Sequence, residues 1–435
     1  MYWMYTAVVR PILAYGCIVW LNATRQKTLC NGLQRVQRLA CLLITGALQS
    51  TPTAALEFML RLPPLDIFLR GEALMAARRL ESVGTWASMN LLGRKGRLIS
   101  HADLIREDKK HIAVLSMPGD FIPATLDFSR NYGVQILARE EACASAVELS
   151  TNAISLFTDG SLMDRAGAGL CIWGPQFGFQ WERTCLDLGN YASVFQAELA
   201  AIEMAATLLR WKGFADTDVR FFTDSQAAIK ALASPSRNQI SVNSCHAALN
   251  LLGALNTVSV AWSPGHSGIP GNELADETAK EGAALITMTP QPITPVSYRR
   301  CRTEVEQWIL KEHRKRWRSR TDCRQAKEIL GLSRTDMVGF SRSRIRQLVQ
   351  VLSGHANLAY HLFKCGLIQS PNCAGCGESD ETVRHFVEVC PVYSKTRFLV
   401  FGRSNVSLPE IVASGNLNEL SRFIQCTGRL SRQAP

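Results

Sequence analysis

Four carboxylates in the middle of this 435-residue chain have the types and the spacing of metal ligands. Asp159 and Asp224 each follow a hydrophobic run, in matching Thr-Asp turns. Glu198 and Asp276 each lie in the first turns of an apolar helical segment. Four converging carboxylates would raise each other's pKa unless cations neutralise them. Oxygen ligands suit Mg²⁺ or Mn²⁺, and two such ions can hydrolyse a phosphodiester, so the pattern predicts a two-metal hydrolytic site.

Each of these residues also has an ordinary structural interpretation when it is considered alone. Asp159 could cap a turn, and Glu198 could be a first-turn acid that the helix dipole favours. Asp224 could belong to the cap of the following helix. Asp276 could be a solvated charge on a helix face, and His266 in its Gly-rich loop could be a plain surface residue. Only their occurrence together and in order favours the metal-site interpretation.

Alternating strands and helices must position these side chains. Hydrophobic runs predict strands at 153–157, 170–173, 181–186, 219–222 and 258–262. Helical patterns predict helices at 194–211, 226–233, 242–252 and 272–282. The predicted fold class is therefore α/β, with each acid at a strand end or in the first turns of a helix.

Residues 151–285 resemble the type 1 ribonuclease H family across their whole length. The strand that ends at Asp159, the helix that opens at Glu198 and the Thr-Asp-Ser around Asp224 match that family in order. So does the Pro-Gly-His that ends at His266, with Asp276 ten residues later. The resemblance implies a ribonuclease H-like mixed five-stranded sheet with helices on both faces. It also implies that the four acids hold two Mg²⁺ (or Mn²⁺) ions, that the loop histidine assists proton transfer or product release, and that the substrate is the RNA strand of an RNA–DNA hybrid.

Charge is distributed unevenly along the chain, which carries a formal net charge of +11. Residues 151–285 carry 8 Lys/Arg against 13 Asp/Glu, whereas residues 286–350 carry 15 against 6. Between 231 and 260 the only basic residue is Arg237, so the predicted nuclease should bind a polyanion weakly. We expect residues 151–350 to bind hybrid more tightly, and with a steeper salt dependence, than 151–285 alone. The alternative is that the basic segment is simply a solvated helix.

Candidate contacts to nucleic acid follow from these two observations. Beside the acids they are Ser161, Gln196 and Ser225. In the basic segment they are Lys311, Arg314, Lys315, Arg316, Arg318 and Arg320. Trp308 and Trp317 in the same segment are nine residues apart, so we expect them to share the apolar face of a helix and belong to the core.

A second metal-ligand pattern lies near the C-terminus. Cys373, Cys376, His385 and Cys390 form C-x₂-C-x₈-H-x₄-C, which can close a tetrahedral site for one Zn²⁺. The alternative is three unconnected thiols and an imidazole, and the nearby Cys365 could compete as a ligand.

The chain as a whole resembles the C-terminal part of polyproteins from insect-type non-LTR retrotransposons. In those, a reverse transcriptase is followed by a ribonuclease H and then by a Cys-Cys-His-Cys element. The runs VRPILAYG at 9–16, QRVQR at 34–38 and TPTAAL at 51–56 match the region after the polymerase palm, whereas no palm motif with paired aspartates occurs. The resemblance implies a fragment that begins within a domain and encodes no polymerase activity.

The predicted organisation has seven parts. They are a helical remnant at 1–85, a linker with short elements at 86–150, the ribonuclease H domain at 151–285, a Pro-rich linker at 286–298, a basic helical segment at 299–364, a zinc module at 365–400 and a tail at 401–435. Residues 1–23 are apolar but contain Arg10 and Pro11, which fits a buried helix better than a membrane span or a signal peptide. We expect an intracellular protein, nuclear or cytoplasmic and not secreted. We expect it to bind RNA–DNA hybrid and other nucleic acid and not to bind a membrane. The sequence does not indicate its protein partners.

Two rival functions remain at this point. One is a catalytically silent nucleic-acid-binding relic of a retroelement, against which the intact acids argue. The other is a DNA-cutting nuclease on the same fold, and the sequence contexts of the acids favour the ribonuclease instead.

Overall fold

A computed structural model describes the whole chain except residues 22, 23, 25, 85–89, 93–97, 101–107, 288, 332–334, 336, 338 and 432–435. The chain divides into two compact units. The first unit is Met1–Leu74 with Glu306–Pro435, and the second unit is Met75–Val305. Within the described residues, no helix combines the length and apolarity that crossing a bilayer requires.

The regular elements are numbered in chain order. The strands are β1 Asn90–Leu92, β2 Leu98–Ser100, β3 Thr125–Leu126, β4 Tyr132–Gln135, β5 Ala153–Leu162, β6 Ala166–Gly174, β7 Phe179–Gly189, β8 Asp218–Thr223, β9 Ser236–Arg237 and β10 Thr257–Trp262. The α-helices are α1 Tyr2–Met4, α2 Arg10–Ala14, α3 Cys17–Trp20, α4 Lys27–Thr45, α5 Thr53–Met59, α6 Leu65–Ser82, α7 Arg139–Val147, α8 Val194–Trp211, α9 Gln226–Ala233, α10 Ile240–Gly253, α11 Pro270–Ala284, α12 Tyr298–Ser319, α13 Arg324–Leu330, α14 Arg342–Ser353, α15 Ala359–Lys364, α16 Ser394–Phe401, α17 Leu408–Ala413 and α18 Leu417–Thr427. Tyr5–Val9 and His385–Val389 are π-helical, and Ala113–Ser116, Pro175–Phe177 and Pro391–Tyr393 are short 3₁₀ helices.

The second unit is built on a six-stranded mixed sheet of order β4-β10-β8-β5-β6-β7. The three pairings from β4 to β5 are parallel, and the two pairings among β5, β6 and β7 are antiparallel. The predicted α/β class is confirmed, but the sheet has six strands where five were expected. The extra edge strand, β4, comes from the segment predicted as a linker, and it is only four residues long with an internal glycine. Such a run is too short for a periodic pattern, so only its pairing with β10 makes it a strand.

Helices cover both faces of this sheet, because alternate residues of β5 face opposite sides. Leu156 packs in one core cluster with Leu199 of α8 and Leu249 of α10. Phe157 packs in another with Ala275 of α11. The resulting cores fix the helices that carry Glu198 and Asp276 against the sheet.

The predicted Pro-rich linker at 286–298 is packed against the second unit. The buried Val296 accepts a hydrogen bond from the backbone of Asp120 at 2.9 Å and donates one to Pro118 at 2.8 Å. The backbone next to these prolines is therefore hydrogen-bonded to residues 118 and 120. The charge-free composition of the segment did not predict these bonds.

A hydrophobic core of the first unit is assembled from both ends of the chain. Leu56 of α5, Leu348 of α14 and Phe423 of α18 lie in the same hydrophobic cluster. Trp317 is 3% exposed and stacks on Phe58 with ring centroids 4.5 Å apart, and Trp308 is 5% exposed, so both tryptophans are core residues as expected. The segment 401–435, expected to be a tail, supplies α17 and α18 to this core.

Candidate active site

The sheet register brings the two strand-end aspartates together. β5 and β8 are parallel neighbours, with Thr158 opposite Thr223. Asp159 follows Thr158 and Asp224 follows Thr223, so both carboxylates lie at the same edge of the sheet. The matching Thr-Asp turns in the sequence were the signal for this arrangement.

Glu198 reaches the same edge from the first turns of α8. A capping box formed by Ser193 and Gln196 fixes the start of that helix. Gly160, directly after the first aspartate, lies under the helix, and a Cβ on it would fall 2.5 Å from the backbone nitrogen of Glu198. Only a glycine permits this contact, because any other residue would push the helix and its carboxylate away from β5.

Asp276 is delivered by α11, which packs directly on β6. Gly169, the partner of Asp159 in the β5–β6 pairing, has no side chain, and a Cβ there would fall 2.3 Å from the carbonyl oxygen of Ala275. The Asp276 carboxylate accepts a hydrogen bond from Lys280 Nζ at 2.6 Å. Helix α11 therefore packs on β6 next to β5, the strand that carries Asp159.

The acids line a cleft of about 280 Å³. One carboxylate oxygen from each of Asp159, Glu198 and Asp224 lies within 4.8 Å of the others. Asp276 also lines the cleft, but it forms a separate group with His266 and Glu273, whose ligand atoms meet the same distance limit. Glu273 was not among the predicted residues, although its position one turn before Asp276 places it on the same helix face.

Burial and mutual repulsion govern the protonation of this cluster. Burial, followed by the charges of Asp159 and Asp224, raises the pKa of Glu198 to about 9. Burial, Asp224 and Asp276 raise the pKa of Asp159 to about 6. Burial also raises the pKa of Asp224, against the opposing influence of His266. Glu198 can ionise near neutral pH only if positive charge enters the cleft, which is the behaviour expected of a divalent-cation site.

His266 is presented at the cleft by the loop 263–268. Gly265 lies against Asp224, since a Cβ on it would fall 2.5 Å from Asp224 Oδ2. Asn272 Nδ2 donates to Ser263 Oγ at 2.8 Å and so ties the loop to α11. His266 itself is exposed and has a positive φ of 50°, an uncommon conformation for a residue other than glycine.

The side chain of Gln196 is buried and hydrogen-bonded within the chain, and its contact to nucleic acid stays a prediction. Its side chain is 1% exposed, and Nε2 donates to Asp120 Oδ2 at 2.9 Å and to the Pro295 carbonyl at 2.7 Å. Ser161 lines the cleft, and Ser225 caps α9 by accepting from Ala228 N at 3.3 Å. Contacts of these two serines to nucleic acid stay predictions.

Among the predicted basic contacts, Arg316 is already occupied. Its two terminal nitrogens donate to the carboxylate of Asp66 at 2.7 and 2.6 Å, so it is a poor candidate for phosphate. Arg320 is exposed and pairs with Asp322. The remaining four side chains are exposed and stay candidates: Lys311, Arg314, Lys315 and Arg318.

The predicted zinc ligands converge in the first unit. Cys373 Sγ lies 3.9 Å from Cys390 Sγ, and Cys376 Sγ lies 3.3 Å from His385 Nε2, with all four ligand atoms within 4.8 Å. A tetrahedral ion with Zn–S bonds of about 2.3 Å separates two sulfurs by about 3.8 Å, so the donors fit. Cys365 instead lies 3.6 Å from His361 and outside this group.

The sheet order and the acids at its edge define a ribonuclease H-like α/β fold. Residues 151–284 match the family model described as RNase H, so this part of the chain is an RNase H domain. The chain is also similar to the solved RNase H1 from the halophilic archaeon Halobacterium salinarum NRC-1, with 22% identity over 30% of this chain and 96% of that chain, and a TM-score of 0.26. No curated protein matches the chain.

Proposed function

We propose that the RNase H domain hydrolyses the RNA strand of RNA–DNA hybrids by a two-metal-ion mechanism. The observation that carries the proposal is the convergence of Asp159, Glu198 and Asp224 in one cleft, where their carboxylates repel each other unless cations are bound. Asp276 lines the same cleft and completes the set of acids. Bound Mg²⁺ or Mn²⁺ ions would activate a water and stabilise the leaving oxygen of the phosphodiester.

The chain's own residues have separate tasks in this proposal. The four acids hold the cations, and Asp159 contributes from β5, the strand paired with both β6 and β8. His266, on an exposed loop beside Asp224, can exchange a proton with the leaving group and the solvent. Asn272 keeps that loop in place through its hydrogen bond to Ser263.

Cleavage of labelled substrates by the purified chain tests the proposal. An RNA–DNA hybrid, a DNA duplex and an RNA duplex are compared with Mg²⁺ present, and only the RNA strand of the hybrid should be cut. Asp159→Asn should lose at least about a thousandfold in rate, because it keeps the shape and removes the ligand charge. Asp164→Asn, an exposed acid in the turn after the same strand, is the matched control and should retain wild-type rate.

The two rivals make different predictions in the same assay. A silent relic would bind hybrid and leave it intact, and a DNA nuclease would cut the DNA duplex. Wild-type turnover by Asp159→Asn would refute the assignment of the metal site.

We further propose that Cys373, Cys376, His385 and Cys390 hold one structural Zn²⁺. Burial raises the pKa of the Cys390 thiol to about 11, and a bound cation would offset that cost by stabilising the thiolate. Metal analysis of the purified chain should give one zinc per molecule.

The order of an RNase H domain followed by a Cys-Cys-His-Cys group supports our proposal that the protein derives from a non-LTR retroelement and acts inside the cell. A reverse transcriptase palm encoded in the adjacent genomic sequence would support this origin, and an unrelated neighbouring gene would argue against it.

A further inference from the structure

A pocket of about 430 Å³ in the first unit lies at the beginning of α14, far along the chain from the RNase H acids. We call it the basic pocket; its lining residues are Gly46, Arg342, Ser343, Arg346, Gln347, Leu430 and Ser431. None of these described lining residues carries a carboxylate. The pocket therefore has positive charge and lacks a lining acid to neutralise it.

The beginning of α14 is electrostatically unusual. The helix has 12 residues, and Ser341 caps it by accepting from the backbone nitrogen of Arg344. Its first turn contains no acid but does contain Arg342 and Arg344. A helix N-terminus already carries about half a positive charge, so these arginines repel it unless an anion is nearby. Backbone N–H groups that point outward at such an end are ready donors for a phosphate.

Two buried polar atoms at the pocket have no partner in the described part of the chain. Gln347 is only 7% exposed, yet its Oε1 makes no hydrogen bond. Arg346 Nε is buried and unpaired as well. Buried polar groups are nearly always satisfied, so the two unpaired atoms on neighbouring lining residues are consistent with a ligand that has both acceptor and donor atoms. A phosphate oxygen would serve the guanidinium, and a sugar hydroxyl would serve the amide oxygen.

Arg346 lies close to the C-terminal end of α4. Its aliphatic carbons lie against Gly46, where a Cβ would come within 3.6 Å of Arg346 Cδ. Gly46 ends α4 with a φ of 65°, a conformation that suits glycine. The N-terminal part of the chain therefore lies beside an arginine that is 300 residues further on.

We propose that the basic pocket binds a sugar–phosphate group of a nucleic-acid strand. A polyanion is favoured over a free anion because the pocket is much larger than a phosphate and because residues 286–350 carry 15 basic side chains against 6 acidic ones. The inference rests on the proposed function only for the class of ligand, which is nucleic acid. Binding at the basic pocket does not require cleavage.

Binding of a labelled oligonucleotide by the full chain tests the proposal. The protein carries Asp159→Asn so that a hybrid stays intact, and single-stranded RNA is measured alongside the hybrid. Arg342→Gln combined with Arg346→Gln should weaken binding about tenfold or more at moderate salt, and should reduce the slope of log affinity against log salt by about 1.4 to 1.8. Arg403→Gln, which removes an exposed arginine of the same unit, is the matched control and should change neither as much.

A second variant separates binding from folding. Ser343→Glu adds an acid to the first turn of α14, which favours the helix while repelling phosphate. Its melting temperature should equal or exceed that of the parent protein, whereas its affinity for the oligonucleotide should fall.

Two outcomes would overturn the proposal that the basic pocket binds nucleic acid. Affinity and salt slope that match those of Arg403→Gln would overturn the proposal. Loss of inorganic phosphate binding by the double arginine variant, with unchanged oligonucleotide affinity, would overturn it too, because the pocket would then be a small-anion site. A wild-type chain that cuts no hybrid would refute the proposed nuclease function but leave this binding result intact.

Discussion

Replacing Glu198 with glutamine should stabilise the metal-free protein while abolishing cleavage. Glu198 is 5% exposed, and burial with the charges of Asp159 and Asp224 raises its pKa from 4.5 to about 9. Below pH 4.5 the carboxyl is protonated in both the folded and the unfolded protein, so Glu and Gln are equivalent. Between pH 4.5 and 9 the unfolded chain releases this proton and the folded chain keeps it, so stability falls as pH rises.

The size of the effect follows from the separation of the two pKa values. Each pH unit above 4.5 costs about 1.4 kcal/mol, so Glu198→Gln should gain about 3 kcal/mol at pH 7, as an upper estimate. Glutamine resembles the protonated acid in shape and does not ionise, which removes this part of the pH dependence.

Calorimetric melting without added divalent cation checks this prediction. We expect Mg²⁺ to raise the melting temperature of the second unit in the wild-type protein, which identifies the transition to be followed. Its temperature should be higher for Glu198→Gln than for wild type at pH 7, and the difference should vanish near pH 4.5. An equal difference at both pH values would refute the electrostatic reasoning, because packing changes do not depend on pH.

Four further predictions concern other parts of the chain. Gly160→Ala should destabilise the fold by about 1–3 kcal/mol and lower the cleavage rate at least tenfold, measured by melting and by hybrid cleavage, since the added Cβ clashes with α8; wild-type activity would contradict the close approach. Asp120→Ala should cost about 1–3 kcal/mol of unfolding free energy in denaturant titrations, because it removes an acceptor from Gln196 Nε2 and from the backbone nitrogen and hydroxyl of Ser241; a neutral effect would show that these bonds are dispensable. Cys376→Ser should lose zinc in metal analysis and lower the melting temperature, and retained stoichiometric zinc would rule out the ligand set. A fragment of residues 75–305 should bind hybrid more weakly and with a smaller salt slope than the full chain. Equal affinities and slopes in a salt titration would show that the first unit does not contribute to hybrid binding.

Local patterns predicted where the acids of the second unit lie, because these acids are tied to strand ends and helix starts. The Thr-Asp turns at Asp159 and Asp224 follow hydrophobic runs that became the paired strands β5 and β8. Glu198 lies in the helix expected from the apolar pattern that begins at Val194. Local sequence patterns were therefore enough to predict that three carboxylates, far apart in sequence, lie close together.

Long-range partners explain what the sequence could not show. Gln196 was expected at the substrate, but its acceptor Asp120 lies 76 residues earlier. Arg316 was expected to be available, but its partner Asp66 lies 250 residues away. Polar side chains of this kind can serve a ligand or another part of the chain, and only the tertiary structure decides which.

The proposed function requires the acidic second unit to bind a polyanion. Residues 151–285 carry 13 acidic and 8 basic side chains, and their cleft concentrates carboxylates. Arg237, the only basic residue between 231 and 260, is 3% exposed and lies 3.6 Å from Asp127, so it offers no free charge to a phosphate. Bound cations can neutralise the reacting phosphate but not the neighbouring ones along a strand. If the domain cuts a hybrid as we propose, we expect basic side chains elsewhere in the chain to hold the rest of the polyanion, and the exposed arginines of the first unit have the charge to do so.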